Sequence, residues 1–265
     1  MKVFLSADIE GVTGTTHWDE TEKGKADYDE FREQMTAEVA AACEGAMEAG
    51  ATEIWVKDAH DSARNLIAAR LPQTVKLVRG WSGHPFMMMD RLDASFAAAM
   101  MMGYHSPAGS PANPLSHTMT GRAFSIKING RSASEFLINA YSAGLVKVPV
   151  VLVTGDAGLC DEARALIPAI RSVAVKQGAG KATINIHPRL AVEEIHRKAY
   201  QAVKDGPGLC QVPLPGKFEV EIQYKDHALA YANSFYPGAS LADATTIRYE
   251  SEDYMAALSM IHYVL

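Results

Sequence analysis

Two carboxylates lie close together near the start of the chain, in the stretch FLSADIEG. Asp8 and Glu10 follow an apolar run typical of a buried strand, and Gly11 comes directly after them. If both carboxylates were buried without a cation, their repulsion would force one of them to take up a proton. A divalent metal ion removes that cost, so the pair is a candidate for metal binding. The alternative role for both residues is to cap a following turn or helix.

Two histidines occupy similar positions after other apolar runs. His60 directly follows TEIWVKDA, and His105 directly follows AAMMMGY. Ligands of open α/β sheets bind outside the carboxyl ends of the strands, where these side chains would converge with Asp8 and Glu10. Either histidine alone is more simply explained as a solvated loop residue, but three strand ends with such side chains favour a metal site. Mixed nitrogen and oxygen ligands suit zinc, with manganese or cobalt as alternatives, and a bridging Glu10 would allow two ions.

The pattern leaves two further residues open. Glu135 ends the stretch SASE, which fits a capping box and by itself predicts a helix cap. His117 lies in the loop NPLSHTMTG, where it is either a surface residue or an acid–base group beside the metal site. The remaining histidines show no pairing at ligand spacing and are interpreted as structural; they are His17, His84, His187, His196, His227 and His262.

Strands and helices alternate along most of the chain. Apolar residues recur at helical spacing from Asp27 to Ala49, and Val148–Asp156 is an almost continuous run typical of a strand buried on both faces. The pair Asn129-Gly130 predicts a hairpin turn, while Ser95–Tyr104 fits a strand or a helix. This alternation predicts an α/β fold with a mostly parallel sheet flanked by helices. A Gly- and Pro-rich stretch and shorter elements then predict a smaller C-terminal α+β domain, giving domains 1–185 and 186–265.

Composition narrows the class of protein. The 265 residues are 48% hydrophobic, with a net charge of −6, which does not favour nucleic acid as a partner. Three widely spaced cysteines fit neither a disulfide framework nor a cysteine zinc motif, so we expect a cytoplasmic protein. We expect no membrane partner, because no apolar stretch is long enough to span a bilayer. No phosphate-binding loop or dinucleotide fingerprint follows the first strand.

Five motifs, taken in order, resemble those of the D-aminopeptidase family, the DppA-type zinc peptidases. They are SADIEG, KDAHDSARN, MMGYHS, LSHTMTG and INGRSASE, and the resemblance covers residues 1 to about 180. It implies a two-zinc centre with Glu10 as the bridge and His117 as the catalytic residue, described for the family as a nucleophile. From chemistry alone, direct attack by His117 is less natural than attack by a metal-bound hydroxide, and protonation of the leaving amine and stabilisation of the oxyanion are the alternatives, so the role stays open. The implied metal ligands are Asp8, Glu10, His60, His105 and Glu135.

The resemblance also implies an activity and an assembly. The expected enzyme is a metallo-aminopeptidase that hydrolyses short peptides with an N-terminal D-residue, of the D-Ala-D-Ala type. The expected assembly is a homo-oligomeric ring, described for the type as a decamer. The alternatives are a metal-dependent amidase or an L-specific peptidase on the same scaffold, or a non-catalytic metal-binding protein. Structural zinc sites are usually closed and rich in cysteine, whereas this set has three carboxylates and no cysteine, which favours hydrolysis.

Overall fold

The computed structural model describes all residues from 1 to 265, and it contains two sheets with helices packed around them. The strands are β1 (Lys2–Ala7), β2 (Glu53–Asp58), β3 (Val75–Val78), β4 (Ala98–Tyr104), β5 (Ala123–Ile128), β6 (Arg131–Ser132), β7 (Val150–Asp156), β8 (Arg171–Ala179), β9 (Ala182–Asn185), β10 (Phe218–Tyr224), β11 (Ser240–Leu241) and β12 (Thr246–Ser251). The α-helices are α1 (Tyr28–Glu48), α2 (Glu135–Leu145), α3 (Ala157–Leu166), α4 (Pro188–Lys204), α5 (His227–Asn233) and α6 (Tyr254–Val264). Short 3₁₀ helices lie at Trp18–Glu20, Ala68–Arg70, Met87–Met89 and Pro207–Cys210.

The larger sheet has seven strands in the order β3-β2-β1-β4-β7-β8-β9, and only the β8–β9 pair is antiparallel. The predicted mostly parallel α/β sheet is therefore confirmed. Every residue of β4 and β7 is buried, as expected for central strands covered on both faces. The ambiguous Ala- and Met-rich run forms strand β4, because it pairs on one side with β1 and on the other with β7.

The strand order determines where the polar side chains meet. Strands β2, β1 and β4 are adjacent and parallel, so their carboxyl ends lie side by side at one edge of the sheet. Asp8 and Glu10 follow β1, His60 follows β2, and His105 follows β4. The expectation that separate strand ends converge is thus met by the topology.

The second sheet has five strands in the order β11-β12-β10-β5-β6. Its β5–β6 hairpin turns at Asn129 and Gly130, whose φ angles of 52° and 76° match the predicted turn. This sheet contains strands from both sides of residue 185. Helix α4 follows residue 185 in the chain but packs on α1, which precedes it. The buried apolar residues of both sheets form one continuous core. The division of the chain into two domains at residue 185 stays a prediction.

Close backbone contact fixes the segment after β1 against β4. The Asp8 amide donates to the carbonyl oxygen of Met102 at 2.8 Å, and the Gly11 amide donates to that of Gly103 at 2.8 Å. A Cβ atom at Gly11 would lie 1.8 Å from the carbonyl oxygen of Tyr104, far inside van der Waals contact. Only glycine allows this approach, which brings the residue after Glu10 against the strand before His105.

We expect Gly11→Ala to lower the free energy of unfolding by about 3 kcal/mol or more, because the new methyl group meets rigid backbone. The matched control is Gly216→Ala, where a Cβ atom meets nothing within 4 Å; it should change stability by less than about 1 kcal/mol. Urea denaturation followed by circular dichroism measures both. Equal stability of the two variants would contradict the close-contact argument.

Candidate metal centre

Asp8, Glu10 and His60 form the first of three groups of side chains that face one another. The Nδ1 atom of His60 lies 3.3 Å from Oδ1 of Asp8 and 3.1 Å from Oε2 of Glu10. All three residues are buried. Their potential ligand atoms lie within 4.8 Å of one another, which is close enough for one cation to contact all three.

A second group shares Asp8 with the first. Its other carboxylate oxygen, Oδ2, lies 3.6 Å from Nε2 of His105, which lies 3.5 Å from Oε1 of Glu135. The two oxygens of Asp8 therefore face different histidines. Since this is the geometry of a bridging carboxylate, Asp8 is a second candidate for the bridge beside the predicted Glu10.

His117 belongs to the third group, with Glu10 and His105. Its Nε2 atom lies 3.6 Å from Oε1 of Glu135 and 3.9 Å from Oε1 of Glu10. Its ring stacks on that of His105, with centroids 4.3 Å apart and planes 10° apart. Unlike the other residues of the centre, the His117 side chain is 16% exposed, so it is the one imidazole of the centre that is partly open to solvent.

In each imidazole of the centre, one ring nitrogen faces the carboxylates and is called the inner nitrogen here. The other, the outer nitrogen, lies within hydrogen-bond distance of a backbone carbonyl oxygen. The Nε2 atom of His60 is 2.9 Å from the oxygen of Thr21, and the Nδ1 atom of His105 is 3.0 Å from that of Ser106. The Nδ1 atom of His117 is likewise 2.9 Å from the oxygen of Leu115. A carbonyl only accepts, so each outer nitrogen carries a proton. Each inner nitrogen faces the carboxylates, where it donates to them when the ring is protonated and is free to ligate a cation when that proton is lost.

Burial and charge shift the ionisation of this cluster. Burial and the nearby charge of Glu10 raise the pKa of Asp8 well above its ordinary value. Burial opposes the ionisation of Glu135, but His105 beside it lowers its pKa to about 2. Burial also opposes protonation of His105, yet Glu135 raises its pKa to about 10. The cluster therefore takes up protons when no cation balances its carboxylates, and a metal ion must displace them.

The residues fit a divalent cation. The Oε2 atom of Glu10 and the Nε2 atom of His105 are buried and make no hydrogen bond, although unpaired buried polar atoms are costly. Both atoms point into the centre, and the donor set of carboxylates and imidazoles suits zinc. The helix-cap interpretation of Glu135 is wrong: Ser134 caps α2 by accepting from the amide of Leu137 at 3.0 Å. The predicted capping box fails because α2 begins only at Glu135, so that Glu135 is the first residue of the helix and not the third.

A cavity of about 620 Å³ opens onto the centre. Residues that sequence reasoning did not assign to the site also line it, among them Trp18, Trp81, His84, Met88, Asp90 and His262. The sequence pattern predicts a structural role for His84 and His262. Neither histidine lies next to a predicted metal ligand in the sequence. The local pattern that could have indicated a functional loop is the pair of glycines in the stretch GWSGHPF around His84.

The cavity wall contains strained backbone. Asp61, Met87 and Met119 all line it, and their φ angles are 43°, 46° and 61°, in the left-handed region that non-glycine residues rarely adopt. Such conformations persist only where the surrounding structure enforces them, and they concentrate at functional sites. At Met119 the backbone in this conformation contacts the centre directly, because the Met119 amide donates a hydrogen bond to Oε1 of Glu135 at 2.7 Å.

Comparison with known proteins identifies the family. A family model described as D-aminopeptidase matches residues 1–263. The chain belongs to the D-aminopeptidase family. A D-aminopeptidase of Bacillus subtilis (strain 168) is 30% identical over 259 residues, which cover 97% of this chain and 94% of the relative. The resemblance drawn from the five motifs is therefore confirmed.

A solved structure shares the whole fold of this D-aminopeptidase family member. It is that of the Zn-dependent D-aminopeptidase DppA from Bacillus subtilis, described as a self-compartmentalizing protease. The two structures superpose with a TM-score of 0.91 at 30% identity, covering all of this chain and 96% of the other. No helix of this chain has the length and apolar character needed to cross a membrane.

We expect Glu135→Gln to weaken zinc binding by at least about 10-fold, because the variant removes one charged oxygen from the centre. The matched control is Glu162→Gln, which changes a half-buried glutamate that accepts a hydrogen bond from Ser134, the cap residue of the same helix α2. It should leave zinc affinity within about 2-fold of the wild type. Competition with a chromophoric chelator measures both affinities. Unchanged zinc affinity in Glu135→Gln would return Glu135 to a purely structural role.

Proposed function

We propose that this protein is a zinc-dependent aminopeptidase that hydrolyses short peptides with an N-terminal D-residue, of the D-Ala-D-Ala type. The observation that carries the proposal is the convergence of Asp8, Glu10, His60, His105 and Glu135 in one buried cluster, onto which a cavity opens. Membership of the D-aminopeptidase family and the Zn dependence of a relative with the same fold support it.

The proposed centre holds two zinc ions per subunit. The five proposed ligands are more than one tetrahedral ion uses, and Asp8, Glu10 and His105 each belong to two of the three overlapping groups. Bound zinc supplies Lewis-acid polarisation of the scissile carbonyl and lowers the pKa of bound water. The carboxylates and imidazoles of the chain hold the ions at fixed positions, and burial excludes bulk water from around them.

His117 is the proposed catalytic residue. Its Nδ1 proton is engaged by the carbonyl of Leu115, so Nε2 is the nitrogen that faces Glu10 and Glu135. Partial exposure to the cavity allows Nε2 to reach a substrate, and stacking on His105 fixes the plane of the ring. From this position Nε2 can take up a proton and give it to the leaving amine, or it can attack the carbonyl as the family resemblance implies.

The assembly and location complete the proposal. We propose a homo-oligomeric ring, a decamer, supported by the description of the related DppA as a self-compartmentalizing protease. Several aromatic side chains are exposed on the C-terminal part of the chain: Tyr231, Phe235 and Tyr263 are 61%, 70% and 67% exposed. A cytoplasmic location is supported by three cysteines that are all free and buried.

Hydrolysis of D-Ala-D-Ala and L-Ala-L-Ala by the wild type and by His117→Ala tests the activity. We expect cleavage of the D-dipeptide only, loss of activity with a chelator, recovery on adding zinc, and a rate at least about 100-fold lower for His117→Ala. Cleavage of the L-dipeptide alone would favour the L-specific alternative. Two bound zinc ions without cleavage of either dipeptide would favour an amidase or a non-catalytic metal-binding protein.

The oligomer is tested by light scattering coupled to size-exclusion chromatography. We expect a mass close to ten times the 28.6 kDa of one chain. A Tyr231→Glu, Phe235→Glu double variant should lower that mass if the exposed aromatic pair, whose rings lie 5.2 Å apart, packs between subunits. A wild type that elutes as a monomer would contradict the assembly and leave the hydrolytic proposal intact.

A further inference from the structure

A buried lysine reaches the backbone of the metal centre from a distant strand. Lys176 lies on β8, is only 3% exposed, and is one of two lysines buried in the chain. Its Nζ atom donates to the carbonyl oxygen of Glu10 and, at 2.5 Å, to that of Thr15. Burial of an ammonium group is unfavourable unless partners compensate it, so its position requires a reason.

A buried amide donates to the same carbonyl oxygen. The Nδ2 atom of Asn113 lies 3.1 Å from the Glu10 carbonyl oxygen and 3.1 Å from Oδ2 of Asp156. Glu10 lies outside β1, so the hydrogen-bond ladder of the sheet does not hold its carbonyl. Lys176 and Asn113 supply the two donors that hold it instead.

The same network reaches the segment that carries His105. Asp156 accepts from the amide of Ser106 at 2.8 Å and from its hydroxyl group at 2.5 Å. The carbonyl of Ser106 in turn accepts from Nδ1 of His105. Asn113 and Asp156 thus connect the backbone of one predicted ligand to the residue that orients another, and every member of the chain of contacts is buried.

We infer that Lys176 and Asn113 are positioning residues of the metal centre, which set the carboxylate of Glu10 relative to His105 by holding the Glu10 carbonyl. This inference rests on the proposed zinc centre. Groups that orient metal ligands without touching the metal typically change metal affinity by about 10- to 100-fold when they are removed. The positive charge of Lys176 also lies close to the carboxylates of Glu10 and Asp156 and offsets part of their repulsion.

The test compares Lys176→Met with Lys57→Met. Methionine keeps the apolar stem and removes the ammonium in both variants. Lys57 is fully buried and also donates to a carbonyl, at 2.5 Å, but that carbonyl belongs to Gly80 and not to a predicted ligand. Asn113→Ala is the second variant, so a folding failure of Lys176→Met does not leave the inference without a test.

Three measurements on metal-depleted full-length protein separate positioning from general stability. Chelator competition gives the dissociation constant for zinc, the visible absorption of the cobalt(II)-loaded protein reports ligand geometry, and the rise in melting temperature on adding zinc reports binding to the folded state. We expect Lys176→Met and Asn113→Ala to weaken zinc binding at least 10-fold, to alter the cobalt spectrum, and to reduce the zinc-induced rise. Lys57→Met should lower the melting temperature without zinc but keep the wild-type affinity and spectrum.

The outcomes are distinguishable. Wild-type affinity and spectrum in both Lys176→Met and Asn113→Ala would overturn the inference while leaving the zinc centre in place. An equal loss of affinity in Lys57→Met would also overturn it, because any buried lysine would then have the same effect. A wild type that binds neither zinc nor cobalt would overturn the proposed function itself.

Discussion

Repulsion among three buried carboxylates is the constraint on which the rest of the structure depends. Asp8, Glu10 and Glu135 lie within a few ångströms of the same histidines, and burial opposes the ionisation of all three. Such a cluster is stable either when it holds protons or when cations balance it. The unpaired atoms that point into the centre, Oε2 of Glu10 and Nε2 of His105, show that hydrogen bonds within the protein do not satisfy it.

The scaffold places these groups with little freedom. Three adjacent parallel strands end at the same edge, and the backbone after β1 lies directly against β4 because Gly11 has no side chain. Backbone carbonyls then fix the outer nitrogen of each imidazole. The inner nitrogens are therefore held facing the carboxylates, in the orientation that a shared cation would need.

Most of the larger sheet and four of the five predicted ligands were predictable from local patterns. Apolar runs indicated β1 and β2, while the run of β4 fitted a strand or a helix, and the polar residue after each run was visible in the sequence. Glu135 and His117 were not predictable from pattern alone, since the pattern favoured a helix cap for Glu135 and left His117 open between a surface residue and an acid–base group. Their assignment needed the family resemblance, and their geometry needed the fold. Lys176 and Asp90 gave no signal, because a lysine in a strand and an aspartate in a loop are ordinary.

The sequence by itself determined which residue types follow which strands, because side-chain periodicity and turn chemistry act over a few residues. Only the tertiary structure decided which strands are neighbours, since pairing joins segments that lie far apart in the chain. It also decided that Glu135 contacts His105 and Met119 and does not cap its helix, because α2 begins at Glu135 and Ser134 is its cap. The contact of Lys176 with Glu10, across 166 residues, likewise exists only in the folded chain.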